Sequence, residues 1–187
     1  MATSPGDEGG TLTNGVSRDG MIELGDLDLW SFSACKGYPF MLTCEKLAGT
    51  FTPRLRLYAR NGALVATTQN ATIASLSYPG TNSGSFTLMI DGAGVNDSGT
   101  YRLNASGIYE DDLNLCPPLA TETNLNLSGY GGVAGNSFVI MTATNLTTST
   151  VLWTPLLTNQ FDAFGAFDRT NQLNRSEPAR FYRLRTP

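Results

Sequence analysis

The chain has 187 residues, enough for one large domain or two small ones. It carries 16 acidic and 12 basic residues, a net charge of −4, and no histidine. The missing histidine removes the commonest general base, the usual catalytic triads and ordinary zinc sites, and a weakly acidic chain without a basic stripe argues against nucleic acid. Abundant Thr, Asn, Ser and Gly with only 15% charged residues is the composition of turn-rich exported β-proteins. No run reaches the ~18 apolar residues of a membrane span. The first residues show neither the charged nor the apolar region of a signal peptide, so any export signal is expected to be gone already.

Residues 1–18 are rich in Gly, Ser, Thr and Asp and are expected to form an extended N-terminal arm. From 19 to 106 the pattern is strand and turn, with strands expected near 21–24, 28–35, 40–46, 54–60, 63–68, 71–77, 85–90 and 100–105. Trp30 and Phe32 share a face, as do Leu55 with Leu57 and Phe86 with Leu88, the period of two that marks a half-buried sheet. The breaks have turn chemistry, with Asn61-Gly62 the strongest hairpin signal. Residues 107–121 read as a linker, with Glu110, Asp111, Asp112 and an extending Pro117-Pro118 pair. Strand patterns resume in 122–187, near 124–127, 138–144, 151–158, 161–167 and 179–185. The expected fold class is all-β: an antiparallel β-sandwich or jelly-roll-like domain followed by a small β-module.

Three cysteines leave at least one unpaired. Cys44 shares a face with Phe40 and Leu42 and reads as a buried thiol, while Cys35 and Cys116 are able to pair or to remain free. Arg169, Arg175, Arg180, Arg183 and Arg185 read as a solvated strand face rather than a binding patch. The six Asn-x-Ser/Thr sites are what chance gives in a chain this rich in Asn and Thr.

The order Gly25-Asp26-Leu27-Asp28-Leu29-Trp30-Ser31-Phe32, Leu57-Tyr58, Asn61-Gly62, Gly84-Ser85-Phe86 and Ser98-Gly99-Thr100-Tyr101 resembles the bacterial pre-peptidase C-terminal domain. The resemblance covers roughly residues 20–105. It implies a non-catalytic β-sandwich of secreted proteins. The stretch from Thr144-Asn145-Leu146 through Trp153-Thr154-Pro155 to Arg180-Phe181-Tyr182-Arg183-Leu184 is similar to a short β-module that ends exported proteins of the Verrucomicrobia–Planctomycetes type. No activity is implied for it.

Asp26 and Asp28 flank Leu27, and two carboxylates this close are candidate calcium ligands, with Asp91, Asp97 or the 110–112 cluster as neighbours. Short acids in turns also bond their own backbone amides, which is the expected role here; no cofactor is expected beyond calcium. The resemblance adds weight to calcium, since some members of that family bind it. No catalytic residue is assigned, because no acid pair sits in an apolar pocket pattern and no Ser nucleophile has a base. Tyr58 and Tyr101 match packing positions, whereas Tyr109, Tyr130, Phe164 and Phe167 are expected to be available for protein contact or assembly. The resulting expectation is an extracellular or cell-surface structural protein that self-associates through edge strands or its N-terminal arm. The alternative is a monomeric module that adheres to an extracellular protein or glycan.

Overall fold

The structure, a computed structural model, describes residues 8–94, 96–110, 112–147, 151–174, 176 and 179–187. Among these residues every regular element is a strand. The chain divides into two compact units, Met1–Asp111 and Asp112–Pro187.

The first unit contains β1 (Gly9–Thr11), β2 (Arg18–Ile22), β3 (Leu27–Ala34), β4 (Phe40–Gly49), β5 (Pro53–Ala59), β6 (Leu64–Gln69), β7 (Ile73–Tyr78), β8 (Gly84–Gly92) and β9 (Gly99–Ser106). They form a five-stranded sheet in the order β1-β3-β8-β5-β6 and a four-stranded sheet in the order β2-β9-β4-β7. Alternation builds the layers. On β5, Leu55, Leu57 and Ala59 are buried while Arg54, Arg56 and Tyr58 stay half-exposed; on β7, Ala74, Leu76 and Tyr78 point inward. The two inner faces meet through aromatic rings. Phe32 and Phe86 of the larger sheet stack at 5.8 Å, and Phe40 of the smaller sheet meets Phe32 edge-on at 5.1 Å. The Asn61-Gly62 turn joins β5 to β6 as expected, with Gly62 at φ 78° and the Asn61 side chain accepting the Ala63 amide at 3.1 Å.

The chain leaves the arm pattern earlier than residue 18. Residues 1–7 of that arm lie outside the described residues, but Gly9–Thr11 form β1, paired in parallel with Leu29–Ser31 of β3. Leu12 is buried, the Gly15 amide donates to the Ala105 carbonyl at 2.9 Å, and β2 begins at Arg18 on the edge of β9. Backbone pairing and the buried Leu12 side chain together order this segment.

The expected linker also carries structure. Ile108 is buried, Tyr109 exchanges backbone hydrogen bonds with Ser33, and the division between units falls at 111/112. In the second unit β10 (Asn114–Leu115) and β11 (Leu119–Ala120) pair with β12 (Asn124–Tyr130), whose other side takes β15 (Phe167–Gln172). A three-stranded sheet orders β14 (Thr154–Gln160), β13 (Ser137–Ala143) and β16 (Phe181–Arg185). The strand expected at 161–167 is instead a turn up to Ala166, because Asp162 binds the amides of Phe164 and Ala166 at 2.9 and 3.0 Å. Leu125, Leu127, Phe138, Ile140, Phe161 and Phe167 make the core, with Phe138 stacked on Phe167 at 4.3 Å. Cys35 and Cys116 are disulfide-bonded, and Cys44 is the free, buried cysteine.

Candidate functional site

Asp28 enters the first unit's interior from β3, fully buried. Its Oδ2 accepts the Tyr101 hydroxyl at 2.5 Å, and that hydroxyl accepts the Trp30 indole N–H at 3.1 Å. Its Oδ1 accepts the Glu8 amide at 2.9 Å, while Glu8 reaches across to accept the Met21 amide at 3.3 Å. Gly20 leaves room for the Tyr101 ring: a Cβ there would strike it. Asp26, in the turn before β3, accepts the Leu27 amide at 2.8 Å and the Glu23 amide at 3.4 Å. Glu8, Asp26 and Asp28 thus bring one carboxylate oxygen each within 4.8 Å of one another.

The electrostatics follow from burial. Leaving water pushes the Asp28 carboxyl up to about 7, and the charges of Glu8 and Asp26 push the same way against the hydrogen bonds from Tyr101 and the Glu8 amide. Burial and the Asp28 contact likewise raise Tyr101 far above the usual phenol range, and burial raises the Cys44 thiol to about 12. Cys44 is therefore inert as a nucleophile. Three carboxylates this close repel one another, and the repulsion is relieved either by a proton on Asp28 or by a hard cation shared among the oxygens. Glu8, Asp26 and Asp28 are the residues that could hold such a cation.

The other expected neighbours are engaged elsewhere. An open cavity of about 260 Å³ near the cluster is lined by Glu23, Asp26, Asp91 and Asp97 among others. Asp91 there receives Arg54 at 2.9 and 2.6 Å and also Arg56, and Asp97 accepts the amides of Gly94 at 2.8 Å and Thr52 at 3.0 Å, which hold it below the usual carboxylate range. Glu110 and Asp112 are exposed, outside the carboxylate cluster, and Asp111 lies outside the described residues. Glu8 had no signal in the sequence: eighteen positions separate it from Asp26, and only the parallel register Gly9↔Leu29 brings it in.

Of the four aromatics expected at a contact surface, Phe164 is exposed, at 53%. Tyr130 and Phe167 are core residues of the second unit, with the Tyr130 hydroxyl accepting an N–H from Asn114 at 3.1 Å. Tyr109 is half-buried, fixed by its bridge to Ser33. Tyr130 and Phe167 are corrected from contact to structural positions, while Tyr109 is held through its backbone alone. Phe167 opposes Gly129, on the face of β12 that carries Leu125 and Leu127, whereas Tyr130 points to the other face of β12 and is buried there. Arg169, Arg183 and Arg185 are exposed, and Arg183 lies over the Trp153 ring at 4.5 Å; Arg175 lies outside the described residues.

No family model and no curated protein matches the chain. Among solved structures, it is similar to the pre-peptidase C-terminal domain of collagenase from Bacillus anthracis, at 17% identity over 56% of this chain and 100% of that one, with a TM-score of 0.46. The human OSCAR ligand-binding domain aligns at 15% identity over 82% of this chain and 88% of that one, with a TM-score of 0.27. A β-galacturonidase from Eisenbergiella tayi aligns at 12% identity and a TM-score of 0.27, over 92% of this chain, which spans only 34% of that enzyme. At such identities and scores none of these likenesses bears on an activity, ligand or partner of this chain.

Proposed function

We propose that this chain is a non-catalytic extracellular module whose work is contact, in the first place with copies of itself. The first unit is read as pre-peptidase-C-terminal-like on its own residues. Asp28, Trp30 and Phe32 face inward on β3, Phe86 packs on Phe32, and Tyr101 closes the network from β9. The carboxylates that a hydrolase would need are spent on structure: Asp28 holds the Glu8 amide and Tyr101, Asp91 pairs with Arg54, and Asp97 binds two loop amides. Disulfide-bonded Cys35 and Cys116 suit an oxidising compartment.

The observation that carries the contact reading is that, among the described residues, each sheet of the sandwich has an edge strand paired on one side only, β6 in one layer and β7 in the other. A strand edge is a row of backbone donors and acceptors awaiting a partner. The test is the mass of the full chain by light scattering at increasing concentration. Growth beyond the 20.0 kDa monomer supports assembly. A constant monomer rejects it and leaves the adhesion reading, which one observation already favours: residues 9–11 pair with their own β3 and so are not available to a neighbour.

A further inference from the structure

The strand ends of the molecule are not equally guarded. Stable proteins block edge strands with charge, proline, bulges or extreme shortness, because an unguarded edge recruits another chain. In the first unit, β1 is three residues long and β2 carries Arg18 and Asp19. In the second unit, β10 and β11 have two residues each, β14 contains Pro155, β15 contains Asp168 and Arg169, and β16 contains Arg183 and Arg185. Among the described strands two edges remain, β6 and β7, and both fall within residues 61–90, where no charged residue occurs. Between them β6 has a register shift against β5 near its start, a local irregularity of the kind that deters pairing. Strand β7 has none: it runs in unbroken register on β4 from Tyr78↔Phe40 to Ile73↔Glu45.

Sequence and burial agree on β7. Ile73-Ala74-Ser75-Leu76-Ser77-Tyr78 is free of proline, glycine and charge, the composition that favours strand-to-strand addition. Ala74, Leu76 and Tyr78 are locked into the core, which fixes which face the strand presents; Ile73, Ser75 and Ser77 are exposed on the outer face. The edge is therefore in fixed register and lined by neutral side chains, two serines and Ile73.

Charge decides the occupant. Residues 1–111 contain eleven acidic and seven basic residues, so two copies of this unit carry net charge of the same sign. Approach along a charge-free edge avoids the resulting repulsion, and it buries no carboxylate or ammonium that would then lack a partner. A charged peptide finds nothing on this edge to compensate it. An antiparallel pair of identical neutral strands is self-complementary about a two-fold axis, with every contact made twice. We propose that β7 pairs with β7 of a second copy, joining two four-stranded sheets into one of eight strands.

This rests on the self-association reading above, and the experiment separates the two. Ser75→Lys and Ser77→Lys place a charge on each copy beside the joint while leaving the buried face of β7 intact. Full-length parent and variants are compared by sedimentation over a wide concentration range, and each is first shown to melt as the parent does when dilute. The expected result is a parent dimer that both variants weaken by about tenfold or more, as like charges brought together across a strand pair require. Association that persists unchanged in both variants overturns the β7 joint and leaves assembly through another surface, such as that bearing Phe164. A parent that stays monomeric throughout overturns both.

Discussion

Trp30, Tyr101 and Asp28 form a chain of hydrogen bonds in the interior, and each member depends on the next. Trp30→Ala removes a side chain only 5% exposed and opens a cavity beside Tyr101, so the first unit is expected to lose ~3–5 kcal/mol in denaturant unfolding. Tyr101→Phe keeps the ring but strands the indole N–H and one carboxylate oxygen, for an expected loss of about 1–3 kcal/mol. Asp28 also sets a pH dependence whose sign is fixed. Unfolded, this carboxyl ionises near 3.8; folded, burial raises it to about 7, so between these values the native state holds a proton that the unfolded chain has lost. Stability should therefore fall as pH rises from about 4 to about 7 and level off above, and Asp28→Asn should flatten that slope. A calcium ion on Glu8, Asp26 and Asp28 would favour the ionised form. Millimolar calcium should then raise the melting temperature most at pH 7 and above and little near pH 4. Equal melting with calcium and with chelator at pH 8 would leave the three acids as structural groups alone.

At the scale of elements, β1 is a three-residue strand whose value lies in what it covers. Parallel pairing on β3 closes that strand's free edge and delivers Glu8 to Asp28. Gly9 lies so close to the Leu29 carbonyl that a Cβ would overlap it, so Gly9→Val should undock the segment. Amide exchange would then accelerate in residues 9–15 and on β3, while β5 and β8 remain protected. The strands from β3 to β9, the irregular β6 apart, were legible because each alternates over six or more residues between Gly, Asn or Pro turns. The docking of β1 was not, because Gly-Gly-Thr has no apolar side chain to betray a buried face, and parallel pairing leaves no local signature. The same limit explains the acid cluster: Asp26 and Asp28 could be singled out from their spacing, whereas Glu8 belongs to the site only through tertiary register. Tyr130 and Phe167 failed as contact residues for a related reason. Each sits at the very end of a strand, where too few alternating neighbours exist to tell a covered ring from an exposed one.

Across the whole molecule the two units differ in how much core they own. The first encloses an apolar cluster that runs from Leu12 to Ile108 and draws on both of its sheets. The second has, among its described residues, an apolar cluster of only six buried residues, three of them phenylalanines in mutual contact: Phe138 meets Phe161 at 4.7 Å and Phe167 at 4.3 Å. A core this small leaves little margin, because the surface-to-volume ratio of a domain of this size limits what burial can contribute. The second unit is therefore expected to unfold first on heating, as a separate transition below that of the first. Phe138→Ala tests the assignment, since it removes the ring that touches both others and should cost ~3–5 kcal/mol within that unit alone. In calorimetry the lower transition should drop or vanish while the upper one stays in place, and Trp30→Ala should do the reverse. A single transition that shifts as a whole under either substitution would show that the two units share their stability and melt as one body.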